Sequence, residues 1–179
     1  MKLIPKTPTE KERDLVQLQA QLRGQIIGAY SQCEFLLLDV GMQARIIRDY
    51  WKLNIRYHRK LKNRIAQAKA LFSSPGPLNK YNARAINLID RLEPFREYRD
   101  FFAHAFCRIH CKRDETTFVY KMWRVDDEKT NRIQKQFTQA ELVTLERDIT
   151  LIAQDFNLLF AEIYLNENLE VFSRDTNTV

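Results

Sequence analysis

From Leu15 to Val40 the apolar residues Leu15, Leu18, Leu22, Ile26, Ala29, Cys33, Leu36 and Val40 recur at steps of three and four. Only one face of an α-helix has that period, so a helix of about seven turns is the first constraint on the fold. Thr9-x-x-Glu12 marks its start: the threonine oxygen accepts an orphan backbone N–H and the glutamate reaches back to the cap. Gly24 and Gly28, one turn apart, weaken this helix by about 1 kcal/mol each against alanine, which predicts a close crossing by another helix there. A second seam, Leu142, Leu145, Ile149, Ile152, Phe156, Leu159 and Ile163, predicts a last helix. The capping box Thr138/Glu141 and a Phe137–Leu142 hydrophobic staple open it. With only 4 glycines and 5 prolines in 179 residues, the chain lacks the turn residues of a many-stranded sandwich. It also lacks the glycine loops of dinucleotide and P-loop enzymes.

Between these helices the pattern is mostly helical. A break is placed near Asn54, and Ser73-Ser74-Pro75-Gly76-Pro77 reads as a loop. Leu78, Tyr81, Ala85, Leu88 and Leu92 carry a further helical segment up to Pro94, which kinks it or begins the next helix. Phe106 to Cys111 and Thr117 to Arg124 are aromatic and β-branched and flank the polar turn 112–115, which predicts a β-hairpin over about 106–124. Val125 to Gln136 reads as an exposed loop with a solvated acidic turn at Asp126-Asp127-Glu128, and the tail over about 168–179 as frayed. The expected fold class is all-α, a helical bundle of four to five helices with one small β-hairpin insertion, forming a single domain over 1–179.

The formal charge is +6, and its distribution is uneven. Arg45, Arg48, Lys52, Arg56, Arg59, Lys60, Lys62 and Arg64 face a single acid, Asp49, whereas the segment from Thr138 onward is acidic. A basic strip of this kind suits a polyanion, and equally a solvated face. Tyr50, Trp51 and Tyr57 interleave it and could stack on bases or belong to the core. Met1 to Glu10 has no apolar leader region, no stretch is long enough for a membrane span, and Cys33, Cys107 and Cys111 form an odd set. These features predict a cytoplasmic protein with no membrane partner.

The stretch from Pro94 to Phe106 carries the chemistry. On a helix, Phe95, Tyr98, Phe101, Phe102, Ala105 and Phe106 fall within one apolar arc. Arg96, Arg99, Asp100, His104 and Glu97 occupy the polar arc, so His104 is expected to point away from the core. Asp100 and His104, four residues apart, are surface neighbours, so the carboxylate could orient the imidazole. Arg96 and Arg99 supply planar donors for phosphate. A proton-exchanging imidazole beside guanidinium groups is the minimum equipment for RNA transesterification. Two copies across an isologous interface would turn this open face into a cleft.

At Arg99-Asp100-Phe101-Phe102-Ala103-His104 the chain resembles the HEPN superfamily (higher eukaryotes and prokaryotes nucleotide-binding), whose helical domains carry an arginine, a polar residue and then a histidine. The resemblance implies a metal-independent endoribonuclease acting on RNA as a homodimer, without cofactor or metal, in a toxin–antitoxin or phage-defence setting with an antitoxin or other protein partner. The implied catalytic residues are His104 as general acid or base, Arg99 as phosphate and transition-state ligand, and Asp100 as orienter of the imidazole, with Glu34 a further polar candidate. Arg96, Lys52, Arg56, Arg59 and Lys62 are the substrate-binding candidates. Ala105 stands where related sequences commonly place glycine. Other readings remain: a catalytically inactive helical adaptor, a nucleic-acid-binding module, and a zinc cluster of His104, Cys107, His110 and Cys111. The last is disfavoured because alternate strand residues point to opposite faces.

Overall fold

The capping box at Thr9 forms as its sequence dictates. Glu12 accepts from the Thr9 N–H at 2.7 Å and the Thr9 hydroxyl accepts from the Glu12 N–H at 3.2 Å, and helix α1 (Glu10–Ala44) follows. The computed structural model describes residues 9–111, 116–126 and 129–169. Beyond α1 come a 3-10 turn (Arg48–Leu53), α2 (Leu61–Ser73), a 3-10 turn (Pro77–Tyr81), α3 (Asn82–Leu92) and α4 (Arg96–His104). Strands β1 (Phe106–Cys111), β2 (Thr116–Asp126) and β3 (Lys129–Thr138) precede α5 (Gln139–Glu167). The break at Asn54 is present as a left-handed residue, φ 46°, and the Pro-Gly-Pro stretch separates α2 from the next turn.

The chain divides into two compact units. One comprises the segment up to Ile27 and Glu97–Asp148; the other comprises Gly28–Arg96 and the segment from Ile149. In the first, the antiparallel sheet has the order β1-β2-β3, with Phe106 opposite Lys121 and Trp123 opposite Arg132. One sheet face packs, while the other is exposed at Phe106, Arg108, Trp123 and Arg132 and buried at Thr117 and Val119. On the packed side Tyr120 meets Phe102 of α4 edge-on at 4.8 Å, and Phe137 lies 5.5 Å from Phe102 and 6.2 Å from Tyr98. The Gln19 amide of α1 donates to the buried Tyr120 hydroxyl at 3.0 Å.

In the second unit, Tyr30, Cys33, Leu37 and Val40 of α1, Leu71 and Phe72 of α2, Ile89 and Leu92 of α3 and Phe156, Leu159, Phe160 and Ile163 of α5 are buried. The predicted seam of α5 is thus core throughout, except that Leu145 is half-exposed. The Tyr50 hydroxyl accepts the Leu78 N–H at 2.7 Å. Gly76, φ 145°, is required beside it, because a Cβ there would sit 2.8 Å from the Tyr50 ring.

Three expectations are corrected. The fold is not an all-α bundle with one small hairpin: the described residues form a mixed arrangement of five α-helices and a three-stranded antiparallel sheet. The hairpin β1–β2 forms, but much of the supposed loop over 125–136 is β3. Its exposed Arg132, Gln134 and Gln136 alternate with the half-buried Ile133, Lys135 and Phe137, the period-two pattern of an edge strand solvated on one side. Gly24 and Gly28 mark no helix crossing: both are exposed, and a Cβ at either would meet nothing within 4 Å. The turns at 112–115 and 127–128 and the tail from 170 lie outside the described residues. Among the described residues no helix is long and apolar enough to cross a membrane.

Candidate active site

Helix α4 is held by its apolar side. Phe101, Phe102 and Ala105 are buried and Tyr98 is half-buried, as the helical arc predicts. Phe106 departs from the arc because the helix ends at His104; as the first residue of β1 it is 66% exposed. Lys135 of β3 clamps the same helix, its Nζ 4.6 Å from the Tyr98 ring centre and 3.7 Å from the Glu97 carboxylate. From α1, the Arg23 guanidinium donates to the Ala103 carbonyl at 3.2 Å. That contact satisfies one of the orphan carbonyls at the end of α4, beside His104.

The polar side of α4 carries the candidates. Arg96 and His104 are exposed, while Arg99 and Asp100 are partly buried. The Arg99 guanidinium donates to the Asp100 carboxylate at 2.8 Å, so Asp100 holds the guanidinium rather than the imidazole. With the opposite helix surface packed against the sheet, the exposed His104 and the partly buried Arg99 stand on one helix.

The other candidates fall elsewhere. Lys52, Arg56, Arg59 and Lys62 are exposed, as a basic surface requires, but they belong to the second unit, as does Glu34. Of the interleaved aromatics, Tyr50 is core, whereas Trp51 and Tyr57 are exposed. The Arg64 guanidinium lies 5.9 Å from the Tyr57 ring and donates to the His58 carbonyl. Among the described residues no group of three or more His, Cys, Asp or Glu side chains is placed to hold a metal ion. Cys107 and Cys111 share one face of β1 and His110 the other, since residues alternate along the strand. Burial pushes the Cys107 thiol up, partly offset by its hydrogen bond with Tyr120.

Sequence reasoning missed Arg23 and Lys135, whose positions on α1 and β3 look like ordinary polar surface until the tertiary contacts form. Compared with protein-family models, curated proteins and solved structures, the chain matches none.

Proposed function

We propose that the chain is a metal-independent endoribonuclease of the HEPN type. The observation that carries this reading is an exposed His104 and a partly exposed Arg99 on one helix whose opposite side is anchored in an aromatic core. In the proposed reaction the RNA 2′-hydroxyl attacks the adjacent phosphorus. Its proton passes to a base, a bond forms between phosphorus and the 2′-oxygen, and the bond to the 5′-oxygen breaks as that oxygen takes a proton. His104 serves one of these transfers, and a second copy of the chain in a homodimer supplies the other. Arg99 neutralises charge on the non-bridging oxygens, with Asp100 fixing the guanidinium plane. Arg96 and the basic residues Lys52, Arg56, Arg59 and Lys62 attract the polyanion. The test is incubation with single-stranded and transfer RNA in EDTA, alongside His104→Ala. Fragments ending in a 2′,3′-cyclic phosphate, absent with the variant, are expected; intact RNA with wild-type protein in every condition would contradict the proposal.

A second reading, a non-enzymatic adaptor, is favoured by one observation. Leu151, Leu158 and Leu165 of α5 recur every seven residues and are 47%, 71% and 79% exposed, a seam suited to a partner helix. An adaptor would bind its partner unchanged after His104→Ala.

A further inference from the structure

The open face of the sheet is chemically unlike the packed one. Along it lie Phe106 and Arg108 of β1, Lys121 and Trp123 of β2 and Arg132 of β3. Phe106 is 66% and Trp123 68% exposed, a large apolar area for two rings to leave in water without a ligand. Phe106 faces Lys121 directly across the strands, and Trp123 faces Arg132. The two residues are therefore diagonal neighbours across the strands, their Cα atoms about 7–8 Å apart, with a cation opposite each. These residues and Met122 line a shallow cleft of about 340 Å³. No Asp or Glu lies on this face among the described residues. Of the carboxylates on the preceding helix, Asp100 is engaged by Arg99 and Glu97 by Lys135 from the packed side.

We infer that this face is a binding platform for single-stranded RNA, with Phe106 and Trp123 stacking on two bases and Arg108, Lys121 and Arg132 taking the phosphates. Stacking on exposed rings flanked by cations is sequence-tolerant and needs unpaired bases, which selects a single strand over a duplex. An acidic peptide would answer the charges but not the paired rings. The ligand class rests on the nuclease reading above, and the geometry connects the two: α4 ends at His104 and Phe106 opens β1, so a strand stacked on Phe106 lies two residues from the imidazole.

The platform is tested by binding alone, with a short fluorescein-labelled 2′-O-methyl oligouridine, which has no free 2′-hydroxyl to react. Phe106→Ala and Trp123→Ala should each weaken binding about tenfold or more. Arg132→Gln, an exposed edge substitution that leaves the core untouched, should lower the slope of log affinity against log salt by about 0.7. The chain has 2 tryptophans, so Trp51→Phe leaves Trp123 as the sole indole, and its fluorescence should be quenched by the oligonucleotide. Unchanged affinity in both ring variants, unquenched Trp123, or tighter binding of duplex RNA than of the single strand would overturn the platform. The two proposals separate cleanly. Ring-dependent binding without cleavage of ordinary RNA retains the platform and removes the nuclease; cleavage with ring-independent binding does the reverse.

Discussion

Replacing Tyr120 by phenylalanine removes one oxygen from the centre of the unit that carries α4. The hydroxyl is fully buried and accepts from the Gln19 amide at 3.0 Å, and Gln19 is itself only 9% exposed. The amide therefore has no ready access to water once its acceptor is gone. A net hydrogen bond is worth about 1 kcal/mol, and a buried donor left unsatisfied costs about 1–3 kcal/mol. Tyr120→Phe should accordingly lower stability by about 2 kcal/mol. Gln19→Leu should cost less, about 1 kcal/mol, because Cys107 still engages the hydroxyl. The double substitution should cost about 2 kcal/mol rather than the sum, leaving a coupling of about 1 kcal/mol. Urea unfolding of the four proteins measures this, with an unchanged denaturant slope as the control that only stability has moved. Strict additivity, or a neutral Tyr120→Phe, would refute the claim that this bond ties α1 to the sheet.

Other consequences follow from single residues. Gly24→Ala adds a Cβ in open space on a helix and should stabilise by about 1 kcal/mol, whereas Gly76→Ala at φ 145° against Tyr50 should destabilise by more than that, both read by thermal melts. The Thr138 N–H and hydroxyl hold the Glu141 carboxyl below its ordinary value. A depressed carboxyl contributes stability above its unfolded pKa and loses it as the pH falls through the folded one. The melting temperatures of wild type and Glu141→Gln should therefore differ most at neutral pH and converge in acid; a gap that is constant with pH would contradict the assignment. Burial pushes the Cys33 thiol up to about 12 while Cys111 is exposed. At about pH 8 roughly one Cys33 thiol in ten thousand is ionised, so a thiol reagent should label Cys111 in the native protein and reach Cys33 only on unfolding.

The elements written in local chemistry were legible. Both capping boxes form, because Thr9 and Thr138 need only a glutamate three residues on. The α5 seam is core, because a sustained period of three and four has one buried face. The polar arc of α4 was readable for the same reason, and with it the exposed His104. What was hidden depended on neighbours distant in sequence. β3 is built from Arg, Gln, Lys and Thr whose alternation is masked by polarity on both sides, and only pairing with β2 makes it a strand. Without β3 there is no sheet face, so the grouping of Trp123 with Arg132 could not be anticipated. Asp100 was expected to turn to His104 along the helix, but the adjacent Arg99 offers a charged donor and takes the carboxylate. Gly24 and Gly28 suggested a crossing that the open surface around them does not contain.

The central claim is that Arg99 and His104 act together on one phosphate. Single-turnover cleavage rates of RNA in EDTA, for wild type, His104→Ala, Arg99→Gln and the double variant, test it most directly. Loss of general acid–base catalysis predicts a fall of about 10²–10⁴-fold for His104→Ala. Residues that work as a unit are strongly non-additive, so the double variant should be about as slow as the slower single one. Rates that multiply, or that are unchanged in both single variants, would contradict the account.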